Sequence, residues 1–338
     1  MPDADRPRDA DGAAPRLRAV RGGAGRRPNS LPTPADFAHR LGALERQVEA
    51  ALAGGAESAF PDMGAAADEL LVAYAAAWRW AEATGEQLRT PRGVVELWLT
   101  SAYRWWWRVE AFGLERIPSA GPVVLVVNRA GTMLPYEAAM VSLALRLEHP
   151  APRVARPLVD DWITSSPGVG LLANAVGAVP ATVAALRRTL DAGEVAVIMP
   201  DGREACARTY ARRYRVGAFS RTALLRAAVA AGAAVVPVAV IGAEESQPVW
   251  WRFEALGRLI GLPAVPITPT FPWLGLPGLL PLPTKWTLHV GEPLDTARYG
   301  AGAARTAAVV RTVRDQIRER LQALVTEGVR RRRSIFFG

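Results

Sequence analysis

Short, wholly apolar runs alternate with helical stretches after Gly113, and this alternation limits the chain to a small group of folds. The runs PVVLVV (122–127), VAVIM (195–199) and AVVPVAVI (234–241) carry no polar side chains, as is typical of strands that are buried on both faces. The stretches with helical character between them are 136–148, 181–192 and 218–232. Because strand and helix alternate, we predict an α/β fold with a mainly parallel central sheet flanked by helices.

The ends of the chain differ from this central pattern. Residues 1–34 are rich in Arg, Asp, Gly and Pro, which predicts a disordered basic tail. Helical periodicity over residues 35–112 predicts an N-terminal helical region, so the α/β domain is expected over 113–338. A further strand is predicted at 286–290. The last helix is predicted over 303–327, with a buried stripe of Val309, Val313, Ile317, Leu321 and Leu324.

Tryptophan and arginine are concentrated in residues 94–109, VVELWLTSAYRWWWRV. The residues concerned are Trp98, Trp105, Trp106 and Trp107, with Arg104 and Arg108. Tryptophan beside arginine is favoured at a membrane interface, where the ring is half wet and the cation meets lipid phosphate. Aromatic packing of a helix on the domain explains the same pattern. The N-terminal helical, Trp-rich segment is therefore predicted to face a membrane, to pack on the domain, or both.

The C-terminal sequence RRRRSIFFG (330–338) joins four arginines to Ile335, Phe336 and Phe337. Such a segment can be a weak interfacial anchor. A solvated tail with an apolar tip docked on the domain fits equally well, and we prefer this second interpretation.

The chain carries 41 basic and 32 acidic residues, a net charge of +9, and is therefore attracted to anionic partners. Its single cysteine, Cys206, cannot form a disulfide within the chain, so no oxidising compartment is required. Cys and His show no metal-site spacing, and no bound cofactor is expected. With no secretory signal or long apolar run in the sequence, we predict a cytoplasmic protein, peripheral on the inner face of a membrane.

Three polar clusters directly follow predicted strands, which is where open α/β sheets bind their ligands. The first, in 126–140, contains Asn128, Arg129 and Glu137. The second, 199–219, is the densest basic loop in the predicted domain, and arginine forks match phosphate and carboxylate geometry. The third contains Glu244 and Glu245. Paired carboxylates can do acid–base work, but more often they belong to a solvated or ion-paired loop.

Together, these clusters resemble the lysophospholipid or glycerolipid acyltransferase superfamily, especially bacterial glycerol acyltransferases and monoacylglycerol-acyltransferase-like proteins. The similarity covers roughly residues 100–338 and consists of four blocks in the family's order. They are Asn128-Arg129 with Glu137, Met199-Pro200-Asp201-Gly202 with Arg203, Val236-Pro237-Val238 with Gly242 to Glu245, and the Pro-rich stretches 268–275 and 281–286.

The resemblance implies transfer of an acyl group from acyl-CoA, as a co-substrate, to a hydroxyl of a lysophospholipid or acylglycerol. In the family a histidine is the general base and a nearby aspartate orients it. The resemblance also implies that Asn128, Asp201, Gly202 and Arg203 bind the substrate, the glycine and arginine loop holding the acceptor's phosphate or glycerol. Expected partners are therefore acyl-CoA, a glycerolipid and an anionic membrane surface.

Arg129 stands where the family has its catalytic histidine. Arginine has a pKa above about 12, so it cannot take a proton from a hydroxyl at neutral pH. The aspartate position is Leu134 under the usual spacing and Glu137 under a longer one. Neither His39, His149 nor His289 falls in these blocks.

Three hypotheses follow from this change. Glu137 is the base and Arg129 stabilises the oxyanion of an active enzyme; or the protein is an inactive, lipid-binding pseudoenzyme of the same fold. The third hypothesis, nucleic-acid binding, needs a basic stripe with stacking aromatics. Most tryptophans lie in apolar runs before residue 110 or in the Pro-rich stretch, so we predict no nucleic-acid partner.

Overall fold

The computed structural model describes residues 90–130, 132–202, 208–259, 264–300 and 302–336. The predicted disordered tail (1–34) and the first part of the predicted helical region (35–89) lie outside the described residues. So do Arg203, Cys206 and Phe337.

The described residues form ten strands. These are β1 Glu110–Phe112, β2 Val123–Val127, β3 Ala155–Val159, β4 Val179–Pro180, β5 Val195–Ile198, β6 Ala234–Ile241, β7 Trp251–Phe253, β8 Val265–Ile267, β9 Thr287–Val290 and β10 Leu294–Asp295. Eight of them build one sheet in the order β1-β9-β6-β2-β5-β3-β4, with β10 also paired to β6; β7 and β8 form a separate two-stranded sheet.

The α-helices of the described residues differ widely in length. They are α1 Pro91–Ser101, α2 Tyr136–Leu147, α3 Asp161–Ser165, α4 Pro167–Ala175, α5 Val183–Asp191, α6 Thr222–Ala230, α7 Ala243–Ser246, α8 Glu254–Leu259 and α9 Ala307–Arg331.

The predicted α/β fold with a mainly parallel sheet is confirmed. Strand β2 lies parallel between β5 and β6, and β3 is parallel to both β4 and β5. Strands β9 and β10 run antiparallel to β6, so that edge of the sheet is mixed. The parallel centre brings the carboxyl ends of β2, β5 and β6 to one edge.

Successive residues of each central strand enter opposite hydrophobic cores. In β2, Val123, Leu125 and Val127 pack with α1 to α4, whereas Val124 and Val126 pack with α5, α6 and α9. All five side chains are fully buried, which explains their uninterrupted apolar sequence. The two-sided cover makes β2 a rigid support for the loop that follows it.

The segment 94–109 is not one continuous helix. Helix α1 ends at Ser101, a π-helical turn covers Ala102–Trp106, and β1 then joins the main sheet beside β9. The sheet therefore includes residues that the sequence assigned to the preceding helical region. Trp107 is buried and stacks on Trp286 with ring centroids 4.4 Å apart.

The other three tryptophans of this segment are exposed: Trp98, Trp105 and Trp106. One tryptophan therefore packs on the domain, as one interpretation predicted. The exposed three leave the membrane-facing interpretation as a prediction.

Strand β3 was not predicted because Arg156 interrupts its apolar pattern. Its guanidinium forms two hydrogen bonds of 2.8 Å with the carboxylate of Glu194, which makes a cation tolerable in this strand.

The backbone of the C-terminal tail docks on the domain, but the prediction that its apolar tip does so is wrong, because the Ile335 and Phe336 side chains are exposed. Helix α9 buries Val310, Val313, Ile317, Leu321 and Val325, close to the predicted stripe. Beyond it, the Ile335 carbonyl accepts a hydrogen bond from the Lys285 amide, while the Ile335 and Phe336 side chains remain exposed.

Candidate functional site

Side chains join the three polar clusters at the carboxyl edge of the sheet. The Met133 amide donates to Oε1 of Gln247 at 2.8 Å, which links the loop after β2 to the segment after β6. The Tyr214 amide donates to Oε1 of Glu244 at 2.9 Å, which links that segment to the loop after β5. Arg129 Nη1 lies 3.8 Å from the Met199 sulfur and so connects the first two loops. The predicted convergence of the clusters is therefore present.

Arg129 is 3% exposed and turns back into its own loop. Its Nη2 donates to the carbonyls of Thr132 and Met133 at 3.1 and 2.9 Å. These bonds curl the loop around a buried positive charge. The guanidinium cannot accept a proton, but its cation is fixed within the site.

Glu137, at the start of α2, is fully buried and holds the same loop from the other side. Its Oε1 accepts hydrogen bonds from the Ala130 amide at 2.8 Å and the Thr132 hydroxyl at 3.1 Å. Burial raises the pKa of this carboxyl, while the nearby Arg129 cation and the loop donors lower it. Glu137 has no exposed surface, and these hydrogen bonds hold the loop in shape.

Asn128 joins two strands. Its Nδ2 donates to the Val240 carbonyl at 3.0 Å, and its Oδ1 accepts from the Val240 amide at 2.7 Å. The amide thus replaces a peptide group where β2 has ended and β6 continues. This geometry assigns Asn128 to fixing the start of the loop.

Asp201, directly after β5, anchors the basic loop. Its Oδ2 accepts from Arg208 Nη2 at 3.0 Å and from the Gly217 amide at 3.1 Å. Burial raises the pKa of Asp201, and the Arg208 cation opposes that rise. Gly202 has φ +68°, and a Cβ there would lie 2.5 Å from the Ser220 hydroxyl oxygen. The turn therefore requires glycine.

The two glutamates of the third cluster are both buried but have different partners. Glu245 accepts hydrogen bonds from the Tyr214 hydroxyl and from Arg332 Nη1, the latter at 2.8 Å. The Arg332 and Glu245 side chains are 7% and 2% exposed. The ion-paired interpretation is thus correct for Glu245, and its partner comes from the C-terminal tail.

Glu244 forms no ion pair with an arginine among the described residues. Within the same residues, its hydrogen-bond donor is the Tyr214 amide. Burial, with the charges of Glu245 and Glu137, raises its pKa to about 8 against the opposing effects of that amide and Arg208. Sequence reasoning grouped Glu244 with Glu245, because adjacency cannot show which carboxylate an arginine reaches.

Tyr214 connects the two glutamates in an unusual backbone conformation. Its φ is +61°, which is unfavourable for a residue with a side chain. Its amide and hydroxyl bind Glu244 and Glu245 respectively, and these contacts hold the conformation. Among the described residues, no group of His, Cys, Asp and Glu is arranged to bind a metal ion.

An apolar pocket adjoins the loop of Arg129 and lies between α1, α2, β3 and α4. Its cavity volume is about 40 Å³, so the pocket is narrow and well below the usual size of small-molecule sites. It is lined by Trp98, Leu99, Leu134, Pro135, Tyr136, Ala139, Pro157, Val159, Ile163, Val169, Leu172, Ala173, Val176 and Ala178. Because Leu134 to Tyr136 belong to both the loop and the pocket wall, an apolar ligand here lies directly beside the polar clusters.

Residues 108–241 match the model of the Acyltransferase family. This stretch runs from just before β1 to the end of β6 and contains the first two polar clusters. This part of the chain belongs to the acyltransferase superfamily. The resemblance inferred from the sequence is therefore confirmed at the level of the superfamily for residues 108–241.

Two mycobacterial relatives of this chain are similar over most of its length. An uncharacterized protein of Mycobacterium leprae (strain TN) is 38% identical over 245 residues, covering 72% of this chain and 66% of the relative. An uncharacterized protein of Mycobacterium tuberculosis (strain ATCC 25618 / H37Rv) is 39% identical over 236 residues, covering 70% and 66%. The chain thus spans just under two thirds of these relatives.

A solved structure also aligns with this chain. It is the 1-acyl-sn-glycerophosphate (LPA) acyltransferase PlsC from Thermotoga maritima, with a TM-score of 0.46 and 18% sequence identity. The alignment covers 72% of this chain and 81% of that one.

Proposed function

We propose that this protein transfers an acyl group from acyl-CoA to a hydroxyl of a glycerolipid, either a lysophospholipid or an acylglycerol. The convergence of the three polar clusters beside a narrow apolar pocket supports the proposal most directly. An acyl chain in that pocket would bring its thioester end to the polar clusters. Superfamily membership supports the same reaction type.

Arg129 has a role in this proposal that does not require proton transfer. A fixed cation favours the negative charge that develops on the thioester carbonyl oxygen during attack. The loop carbonyls and Glu137 hold the cation and its loop in place before substrate arrives. The change from histidine to arginine therefore removes a base and retains an electrostatic site.

Purified protein given acyl-CoA and a panel of lysophospholipid, glycerol-phosphate and acylglycerol acceptors is expected to form esters and release free CoA thiol. Leu172→Trp fills the pocket and excludes an acyl chain from it, so turnover with a long-chain acyl-CoA is expected to fall roughly tenfold or more, a loss of at least about 1.4 kcal/mol of binding. Leu171→Trp, at the neighbouring position with 51% exposure, is the matched control and leaves turnover unchanged. Equal rates in the two variants would argue against acyl binding in this pocket.

A lipid-binding protein without catalysis is the second candidate. It is favoured by the inward bonding of Arg129 and the complete burial of Glu137. Under this alternative, wild-type protein binds acyl-CoA without turnover. The double variant Arg129→His and Glu137→Asp is then expected to form ester. Ester formation by the wild-type protein would rule out this alternative.

We further propose that this protein is cytoplasmic and rests on the inner face of an anionic membrane. An aromatic surface supports this, and we call it the interfacial patch: Trp105, Trp106, Leu280, Ile335 and Phe336, all exposed. Arg108 connects its segments by donating to the carbonyls of Trp105, Trp106, Pro283 and Phe336.

Charge near the interfacial patch has the sign that acidic lipids attract. Arg104 precedes the tryptophans, and Arg330, Arg331 and Arg333 precede the apolar tip; all four are exposed. Aromatic rings beside arginines favour binding at the headgroup level. No helix in the described ranges is long and apolar enough to cross a bilayer.

Trp105→Ala is expected to weaken binding to vesicles of phosphatidylglycerol and phosphatidylcholine about tenfold, because it removes at least ~1.5 kcal/mol of apolar burial. Sedimentation with the vesicles measures the effect. Val154→Ala, at an equally exposed position outside the patch, is the control. Unchanged binding by Trp105→Ala would show that the patch does not contact lipid.

A further inference from the structure

We infer that Glu244 is the group that takes the proton from the acceptor hydroxyl. The inference rests on the proposed acyl transfer and supplies the base that the sequence lacks at Arg129. It is argued from the positions and partners of the four buried carboxylates at the carboxyl edge of the sheet.

Three of these four carboxylates bind loop donors or arginines that hold the surrounding segments in place. Glu137 is closed in by the Ala130 amide and the Thr132 hydroxyl, with no exposed surface. Asp201 is bound by Arg208, and Glu245 by Arg332. A carboxylate paired with arginine is a weak base, because the cation stabilises its charged form.

Glu244 is placed differently. It follows β6 after the turn at Gly242, and its Oε1 accepts one hydrogen bond, from the Tyr214 amide. Within the described residues, no arginine forms an ion pair with Glu244, in contrast to Asp201 and Glu245, and 6% of the residue is exposed. One oxygen therefore orients the side chain, and the other can receive a proton.

The position of Glu244 also suits the reaction spatially. Gln247, three residues further on, binds the Met133 amide, directly before the pocket residue Leu134. Glu244 thus lies on the segment that contacts the rim of the apolar pocket. The loop after β5 contributes Tyr214 and Arg208 on its other side.

The charges around Glu244 match its proposed role. Burial raises its pKa to about 8, the carboxylates of Glu245 on α7 and Glu137 on α2 act in the same direction, and the Tyr214 amide and Arg208 oppose them. A base is most effective when its pKa is near the working pH. The ionised form of Glu244 is therefore a stronger base than an ordinary carboxylate.

The step balances without further reagents. The Glu244 carboxylate accepts the hydroxyl proton as the acceptor oxygen attacks the thioester carbonyl carbon. The C–S bond then breaks, the new ester bond remains, and the leaving thiolate takes the proton back from the Glu244 carboxylic acid. The products are an acylated glycerolipid and free CoA thiol, and Glu244 is regenerated.

Glu244→Gln tests the inference in the full-length protein. Its kcat is expected to fall at least about 100-fold, the usual contribution of a general base. Binding of a non-reactive thioether analogue of acyl-CoA remains as in wild type. Wild-type kcat rises about tenfold per pH unit below pH 8 and then levels off, because the deprotonated form is active.

The pH dependence of stability gives an independent measure of the Glu244 ionisation on which the kcat profile depends. The pKa of Glu244 in the folded protein lies above its ordinary value, because burial disfavours the charged form. The folded protein is therefore more stable while Glu244 is neutral, and this advantage is lost as the pH rises through about 8. Glu244→Gln buries no charge, so its Tm relative to wild type is expected to increase between pH 6 and pH 9.

Each result has a defined meaning. An active wild type with an equally active Glu244→Gln overturns the inference and leaves the proposed function standing. No ester formation by wild type with any acceptor overturns both. Should Glu244→Gln not fold, Glu244→Asp keeps the charge one methylene further back; a fall in kcat with unchanged analogue binding supports the inference, and full kcat overturns it.

Discussion

Arg332→Ala is expected to destabilise the protein by about 3–5 kcal/mol, the usual cost of leaving a buried charge unpaired. Arg332 and Glu245 form a 2.8 Å ion pair with both side chains almost fully buried. Arg332 also donates to the carbonyls of Lys285 and Ile335. The variant therefore loses an ion pair and the bonds that dock the C-terminal tail.

Arg331→Ala is the matched control for this prediction. Arg331 pairs with Glu327 one helical turn away, but the two side chains are 71% and 50% exposed. Such a pair contributes about 0.3–0.5 kcal/mol. Urea unfolding followed by circular dichroism compares the two variants. Similar midpoints would mean that the Arg332 contact does not stabilise the fold.

Gly242→Ala is expected to cost about 2–5 kcal/mol and to abolish ester formation. Gly242 has φ +103°, and a Cβ there would lie 2.2 Å from the Lys285 carbonyl oxygen, which is backbone and cannot rotate away. Left-handed backbone costs an L-residue about 1–2 kcal/mol, and overpacking adds about 1–3 kcal/mol. The backbone at residue 242 must therefore move, and this movement displaces Glu244, which lies two residues further along the chain.

Gly300→Ala separates these two effects. Its φ is +81°, but a Cβ there meets nothing within 4 Å, so only the backbone cost of about 1–2 kcal/mol applies. Thermal unfolding and an ester-formation assay measure both variants. If Gly242→Ala lost no more stability than Gly300→Ala and kept activity, a tight turn before Glu244 would not be required.

Local pattern was enough for much of the fold. The apolar strands β2, β5 and β6 were predicted close to their observed bounds, because a doubly covered strand needs an apolar residue at every position. Strand β3 was missed because the ion pair of Arg156 depends on Glu194, 38 residues away. The mixed edge was missed because strand direction depends on the path of the connecting chain.

The sequence by itself determined the α/β fold and the superfamily resemblance, and it has Arg129 where that resemblance implies a histidine base. Only the tertiary structure decided what each polar group does. In the folded chain Arg332 pairs with Glu245, 87 residues away, whereas Glu244 accepts a hydrogen bond from the Tyr214 amide. The physical reason is that a carboxylate's basicity depends on its burial and on which cations reach it, and sequence neighbours such as Glu244 and Glu245 can differ in both.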